Sequence, residues 1–303
     1  MRHFLDLKDF TKDQLNAMLD YGIALRQNYK AGKAHDMPLN GKHFGMIFEK
    51  QSTRTRVSFE VGISQLGGTP IVLSANDMQL GRGESISDTA KVLSGYLDGV
   101  MIRCLFHQTL MDLAQHADMP VINGLTDRSH PCQVMADLMT MRDVHGLIEG
   151  QIVTWAGDGN NVAVSWIEAA AIMGFELRLA CPQGYEPPAD IVAWARDKGA
   201  EITLHQDLAE AAKGAHVIVT DVWISMGDEE GTRVQDMTPF QVNDAVMEKA
   251  APDAIFMHCL PAIREMEVTA SVIDGKQSAV WQEAENRLHA QKAILAYCCG
   301  GVC

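Results

Sequence analysis

One short segment contains two arginines and three hydroxyl side chains, and only three polar residues separate it from a preceding apolar run. It reads Ser52-Thr53-Arg54-Thr55-Arg56 and opens a stretch with apolar residues at helical spacing. A helix start offers free N–H groups and the positive end of a dipole, and hydroxyls with arginine forks complete a cradle for an oxyanion. The segment lacks the Gly-Lys-Ser/Thr of a P-loop. It therefore predicts a phosphate site, with a solvated helix cap carrying surface arginines as the alternative interpretation.

A second candidate couples an imidazole with a carboxamide. In His130-Pro131-Cys132-Gln133 the proline suits a first helical position, so His130 precedes a helix and Gln133 lies in its first turn. Both side chains are expected at the strand ends, where they could polarise a carbonyl group. By itself, a His-Pro pair is more often a turn that feeds a helix.

Carboxamides also follow a predicted strand in the second half of the chain. The turn at 157–162 looks like a dinucleotide-binding turn, but Val162 replaces its third glycine and no acidic residue ends the next strand. These two departures disfavour a dehydrogenase. Asn160 and Asn161 nevertheless stand at a strand-to-helix switch, where they could hold a zwitterionic ligand.

Two further strand ends carry chemistry-bearing side chains. Asp221 opens the run Asp-Val-Trp-Ile-Ser-Met-Gly, where a carboxylate suits an ammonium ligand and the following loop suits a lid. The alternative for Asp221 is an ordinary loop with an N-capping carboxylate. Cys259 lies in His-Cys-Leu-Pro, and thiol catalysis would need a nearby base that a sequence cannot reveal. A buried cysteine is more commonly a small hydrophobic residue.

Alternating short β-rich runs and amphipathic segments must position these residues. The predicted strands are 43–48, 69–73, 99–102, 120–122, 151–155, 176–180, 201–204, 216–220 and 254–258. This alternation predicts an α/β fold of two domains, each a parallel sheet flanked by helices. A helix from Pro131 to near Gly146 is expected to bridge the domains. A last helix from about Glu283 to Tyr297 is expected to pack back on the first domain.

Composition limits the classes of function. The 303 residues suggest two domains, and 39 acidic against 25 basic residues give a net charge of -14, which disfavours binding to nucleic acid or anionic membranes. The most apolar stretch, 162–181, contains three charged residues, so no transmembrane helix is expected. Seven scattered cysteines and an N-terminus broken by charges predict reduced thiols and a cytoplasmic location.

Taken together and in this order, the motifs resemble the aspartate/ornithine carbamoyltransferase family over essentially the whole chain, from 48–50 to 285–287. Ser-Thr-Arg-Thr-Arg and His-Pro-x-Gln are shared across that family. Asp-x-Trp-x-Ser-Met-Gly and His-Cys-Leu-Pro mark its ornithine branch. The resemblance implies carbamoyl transfer from carbamoyl phosphate to the δ-amine of L-ornithine, giving L-citrulline and phosphate. It also implies a homotrimer that uses no metal and no organic cofactor.

The same resemblance implies roles for individual residues. Carbamoyl phosphate would be bound by Ser52, Thr53, Arg54, Thr55, Arg103, His130 and Gln133. Ornithine would be bound by Leu125, Asn161, Asp221, Ser225, Met226, Cys259 and Leu260. The implied catalytic residues are Arg54, Arg103, His130, Cys259 and Arg287. The implied domains are 1–135 for carbamoyl phosphate, with a C-terminal helix at about 283–303 packed on it, and 136–282 for ornithine.

Two other interpretations remain open at this point. A carbamoyltransferase for another amine, such as putrescine or an acylated ornithine, would share most of these residues, although Ser225-Met226-Gly227 favours a free amino acid. A catalytically inactive relative would keep the fold and lose turnover. The sequence also leaves open whether the reaction runs toward citrulline or away from it.

Overall fold

Parallel strands form two separate sheets in this chain. The computed structural model describes residues 2–34, 36–50, 52–74, 83–224 and 231–300. Contacts divide the chain into one unit of Met1–Ala136 with Arg287–Cys303 and a second of Asp137–Asn286. The expected α/β fold with a helix-flanked parallel sheet in each half is confirmed. Among the described residues, no helix has both the length and the hydropathy that crossing a membrane requires.

The first unit holds a four-stranded sheet of order β2-β1-β3-β4. Its strands are β1 His43–Phe48, β2 Thr69–Ser74, β3 Gly99–Arg103 and β4 Val121–Leu125. Its helices are α1 Lys12–Lys30, α2 Thr53–Gln65, α3 Ile86–Ser94 and α4 His107–His116. Because β2 and β3 lie on opposite sides of β1, the carboxyl ends of β1 and β3 form a topological switch point, the place where open α/β sheets bind ligands.

The second unit holds a five-stranded sheet of order β7-β6-β5-β8-β9. Its strands are β5 Ile152–Ala156, β6 Glu176–Ala180, β7 Ile202–His205, β8 Val217–Thr220 and β9 Ile255–His258. Its helices are α6 Asn161–Met173, α7 Ala189–Asp197, α8 Leu208–Ala211, α9 Arg233–Met237, α10 Asp244–Met247 and α11 Ala270–Ile273. Here the switch point lies between β5 and β8, so the residues that follow these two strands are the candidates for ligand binding.

Two helices carry the chain from one unit to the other. The division falls inside α5, Pro131–His145, and inside α12, Val280–Leu295. The last helix starts earlier than expected because the Glu283 N–H already donates to the Ala279 carbonyl at 2.9 Å. A five-residue π-helical turn, Ala296–Gly300, then follows α12. The first unit is therefore discontinuous in sequence, and its last part includes Arg287.

The strand β4 runs past its predicted end at 122. Asn123 and Gly124 interrupt the apolar pattern, so the strand predicted from the sequence ends before them. Asn123 nevertheless stays buried in the strand because its amide donates to the Leu5 carbonyl at 2.8 Å and to the Ser129 hydroxyl at 2.9 Å. A polar side chain with partners inside the fold can occupy a strand position that periodicity assigns to a loop.

Candidate functional site

In the first unit, four residues separate the end of β1 from the start of α2, which presents hydroxyl groups in its first turn. Ser52 is the N-cap, and its hydroxyl accepts a hydrogen bond from the Thr55 N–H at 3.4 Å. Thr53 is exposed and Arg54 is half-buried, whereas Thr55 is buried. The first N–H groups of a helix have no intrahelical acceptor and favour an anion. The helix start therefore combines hydroxyl, guanidinium and backbone donors at one place.

Arg287 of α12 joins this helix start to α5. Its guanidinium donates from Nη2 to the Thr55 hydroxyl at 2.9 Å and from Nη1 to the Gln133 side-chain oxygen at 2.8 Å. Only 4% of the Arg287 surface is exposed. These two hydrogen bonds orient the guanidinium group. A fixed positive charge therefore lies among residues that the sequence analysis assigned to carbamoyl phosphate.

Arg103 ends β3 at the same edge of the sheet. Phe48 pairs with Arg103 in the register of β1 and β3, and Leu125 pairs with Arg103 across a register shift. The Glu49 N–H donates to the Arg103 carbonyl at 2.9 Å, and the Glu49 carboxylate accepts from the Leu105 N–H at 2.7 Å. Glu49 therefore fixes the chain on either side of Arg103. The sequence analysis did not predict this role of Glu49, because no sequence pattern indicates a contact between Glu49 and Leu105.

His130 is buried just before α5 and lies among several positive charges. Burial lowers the pKa of its imidazole well below the ordinary value, and the charges of Arg287, Arg103 and Arg54 lower this pKa further. The ring is therefore neutral across physiological pH. A neutral imidazole can donate a hydrogen bond to a carbonyl oxygen without losing its proton. The same electrostatic effect indicates that each of the three arginines lies near His130.

In the second unit, Asp221 follows β8 and collects hydrogen-bond donors. Its Oδ1 accepts from the Cys259 thiol at 3.1 Å and from the Val222 N–H at 2.8 Å, and its Oδ2 accepts from the Asn160 amide at 2.9 Å. Asn160 also caps α6, because its Oδ1 accepts from the N–H groups of residues 162 and 163. One amide thus connects the start of α6 to the carboxylate after β8.

The Cys259 side chain is a protonated thiol in this arrangement. Burial and the neighbouring Asp221 carboxylate raise the pKa of the Cys259 thiol well above the ordinary value. Asp221, His258 and Cys259 offer metal-ligand atoms within 4.8 Å of one another. A metal-binding cysteine must be a thiolate, and the geometry described here is that of a thiol that donates to a carboxylate.

The backbone after Cys259 is fixed by a buried histidine. The Leu260 N–H donates to Nδ1 of His258 at 2.9 Å, so the proton of that ring is assigned to Nε2, which lies 3.0 Å from Glu267. The His258 N–H donates to the Glu283 carboxylate at 2.8 Å. Leu260 has a left-handed φ of 57°. Glu267 and Glu283 were missed because distance along the chain hides their contacts with His258.

The candidate residues fall into one group in each unit. The first unit contains Ser52, Thr53, Arg54, Thr55, Arg103, Leu125, His130, Gln133 and Arg287. The second unit contains Asn161, Asp221, Cys259 and Leu260. Leu125, assigned to ornithine by the resemblance, thus lies in the first unit. Asn161 opens α6, and its neighbour Asn160 makes the contact with Asp221. Ser225 and Met226 lie outside the described residues.

Comparison with known proteins gives the same family for both parts of the chain. The family model described as the aspartate/ornithine carbamoyltransferase carbamoyl-P binding domain matches residues 2–143. The model for the Asp/Orn binding domain of the same family matches residues 149–298. Together these two matches span most of the sequence, and each covers one of the two sheets.

Full-length relatives and solved structures agree with the family models. The chain is 54% identical to an ornithine carbamoyltransferase of Rhodopseudomonas palustris, with 99% of this chain and 98% of that protein covered. It resembles the solved ornithine carbamoyltransferase of Pyrococcus furiosus at 48% identity and a TM-score of 0.95, with 100% and 98% of the two chains covered. The one from Burkholderia thailandensis follows at 43% identity and a TM-score of 0.92, with 100% of both chains covered. The chain therefore belongs to the aspartate/ornithine carbamoyltransferase family.

Proposed function

We propose that this chain transfers the carbamoyl group of carbamoyl phosphate to the δ-amine of L-ornithine, giving L-citrulline and phosphate. The observation that carries the proposal is the buried Arg287 guanidinium, held by Thr55 and Gln133 near neutral His130. Family membership supports the carbamoyl donor, and full-length relatives named ornithine carbamoyltransferase support the acceptor. The contacts and charges within each unit support the roles that we propose for individual residues.

The first unit would bind the donor. In this proposal the phosphate group lies at the α2 start, and the carbamoyl oxygen faces the neutral His130. The residues that would bind carbamoyl phosphate are Ser52, Thr53, Arg54, Thr55, Arg103, His130 and Gln133. Clustered positive charge compensates locally for the net charge of -14, which repels an anion at long range. A group that stays neutral near three arginines is suited to donate to a carbonyl oxygen as that oxygen becomes negative.

The second unit would bind the acceptor. The contacts of Asp221 take three of roughly four lone-pair positions on a carboxylate, which leaves one for the ammonium group of an amino acid. The residues that would bind ornithine are Leu125, Asn161, Asp221, Ser225, Met226, Cys259 and Leu260. Cys259 would orient the attacking amine as a thiol, because its raised pKa disfavours a thiolate nucleophile.

The reaction follows from these positions. The neutral δ-amine attacks the carbonyl carbon, a C–N bond forms, and the negative charge that develops on oxygen is stabilised by Arg103, His130 and Thr55. The bond from carbon to the phosphate oxygen then breaks, and phosphate leaves into the arginine cluster and takes up the proton of the attacking amine. In this proposal Arg54, Arg103, His130, Cys259 and Arg287 form the catalytic group.

We also propose the domain roles, assembly and location that the sequence analysis expected. Residues 1–135 with the last helix at about 283–303 would form the donor domain, and 136–282 the acceptor domain. The chain would work as a homotrimer in the cytoplasm. The six cysteines in the described part of the chain are free thiols, which fits a reducing compartment.

The direct test is to mix the purified protein with carbamoyl phosphate and measure product with four amines. L-ornithine, L-aspartate, putrescine and N-acetylornithine would run in parallel. Citrulline formation with ornithine alone is the expected result. Preference for another amine would replace ornithine as the acceptor and put the error in the loop after Asp221. No product with any amine would favour an inactive relative and contradict the proposal.

A further inference from the structure

A buried network links the N-terminal segment to the residue just before His130. Ser129 is fully buried, and its hydroxyl donates to Oδ1 of Asp6 at 2.5 Å. The Asn123 amide donates to the same hydroxyl at 2.9 Å. Asp6 is itself buried, with 3% of its surface exposed. We call Asp6, His107, Asn123 and Ser129 the Asp6 network.

Asp6 enters this network as a carboxylate. Its Oδ2 lies 3.1 Å from the Lys8 ammonium and 3.4 Å from Nε2 of His107. Burial alone would raise the pKa of Asp6, but hydrogen bonds from His107 and Ser129, with the charge of Lys8, lower this pKa to about 2. The carboxylate is therefore a permanent acceptor for the Ser129 hydroxyl at any pH at which the protein would act.

The N-terminal segment that carries Asp6 is anchored to the sheet. Phe4 forms a parallel bridge with Ile122, its N–H donates to the Val121 carbonyl at 2.9 Å, and its carbonyl accepts from the Asn123 N–H at 2.8 Å. This pairing places the N-terminal segment beside β4 and fixes the position of Asp6 along the direction of that strand. Asp6 is therefore a firm support for the turn that leaves β4.

The turn between β4 and α5 is fixed at both of its ends. The Ser129 N–H donates to the Thr126 hydroxyl at 3.2 Å, and the Thr126 N–H donates to the Ser129 carbonyl at 3.0 Å. Nδ1 of His107 lies 3.0 Å from the same Thr126 hydroxyl. His107 therefore contacts both the turn and Asp6. The next residue after this turn is His130.

We propose that Ser129, held by Asp6, is a positioning residue for His130 in carbamoyl transfer. The inference rests on the proposed function. It adds Ser129 and Asp6, which lie outside the motif His-Pro-x-Gln, as residues that hold the buried imidazole of His130. Ser129 is bonded directly to His130, so a shift of the turn shifts the imidazole. Misplacing a catalytic group by about 1 Å can cost on the order of 100-fold in rate. A buried carboxylate is costly to desolvate, so a turn that needed only stability could use apolar residues.

The test measures kcat, the KM for ornithine, the Kd of inorganic phosphate and the thermal midpoint for Ser129→Ala and Asp6→Ala. We expect kcat to fall about tenfold in both, because His130 loses its alignment, with the ornithine KM and phosphate Kd within about twofold of wild type. Asp6→Asn keeps an acceptor for the Ser129 hydroxyl and should recover kcat to within about threefold. A purely structural role would not produce this separation of kcat from binding.

Ser94→Ala is the matched control, since the Ser94 hydroxyl also makes one bond as donor, to the Ala90 carbonyl at 2.7 Å, and one as acceptor, from the Asp118 N–H at 2.9 Å. It should leave kcat unchanged. If the buried variants do not fold, the half-buried His107→Gln takes their place, with an expected loss of about threefold in kcat. Unchanged kcat in the folded network variants of an active wild type would overturn the positioning role alone. A wild type that forms no citrulline would overturn both proposals.

Discussion

At the scale of single residues, the main feature is a buried positive charge held by neutral oxygens. Arg287 donates to the Gln133 amide oxygen and to the Thr55 hydroxyl, and both bonds orient its guanidinium fork. The nearby imidazole stays neutral because burial lowers the pKa of His130 and the positive charge of Arg287 lowers it further. Arg287 thus contributes part of the electric field that keeps His130 uncharged, in addition to its proposed role in binding an anion.

Arg287→Gln should lower kcat/KM for carbamoyl phosphate by about 100-fold, because a charge-assisted contact to an anion is lost at a buried site. Steady-state kinetics with carbamoyl phosphate varied at saturating ornithine measures this. Arg264→Gln is the matched control, since Arg264 is exposed and pairs with Asp274. Arg264→Gln should leave kcat/KM for carbamoyl phosphate unchanged, and an unchanged kcat/KM in Arg287→Gln would contradict the assignment.

His130 should make stability depend on pH. Its folded pKa is lowered, so below the ordinary imidazole value of about 6.5 the unfolded chain binds more protons than the folded one. The free energy of unfolding should therefore fall as the pH falls from about 7 to about 5. Urea unfolding at several pH values measures the slope, and His130→Asn should flatten it. Parallel slopes for wild type and variant would refute this account.

At the scale of elements, what matters is which residues the strand ends bring together. The sequence could predict most of this, because apolar runs followed by polar motifs locate the carboxyl ends of β1, β3, β5, β8 and β9. It could also predict the two helices that cross between the units. It could not predict the contacts of Glu49, Asn160, Glu267 or Asp6, since these depend on register and turn geometry. Local pattern finds the elements, and packing decides which polar side chains meet.

Asn160 shows what such a contact does, since it both caps α6 and holds Asp221. Asn160→Ala should cost about 1 kcal/mol of stability through the lost cap. It should also raise the KM for ornithine several-fold, because Asp221 loses a donor that orients it. Asn243→Ala is the matched control, since Asn243 caps α10 by accepting from the Val246 N–H at 3.2 Å. A stability loss without a change in KM is expected there, and the same pattern in Asn160→Ala would count against the positioning of Asp221.

At the scale of the whole molecule, the proposed trimer needs an apolar contact surface. Tyr96 and Phe106, which follow α3 and precede α4, are 75% and 61% exposed in the isolated chain. These residues border α3 and α4, which contact each other, and contiguous exposed apolar surface marks an interaction site. We therefore expect this part of the first unit to lie at the contact between chains.

Light scattering should give a solution mass of three chains for the wild type. Phe106→Asp should lower this mass, because a charge is costly to bury in an apolar interface. Trp281→Asp is the comparison variant, since Trp281 is similarly exposed, at 64%, but belongs to the second unit. It should remain trimeric. A wild-type mass of one chain, or equal dissociation of the two variants, would contradict this assembly.

The discontinuity of the first unit has a consequence for how the enzyme is made. A ribosome releases Thr55 and Gln133 long before it reaches Arg287, and the whole second unit is synthesised in between. Domains tend to fold as they emerge from the ribosome. The early part of the first unit is therefore made before the guanidinium of Arg287 is available. The anion site is therefore completed only after the whole second unit has been synthesised. A nascent chain cannot bind carbamoyl phosphate in the proposed way until Arg287 has left the ribosome.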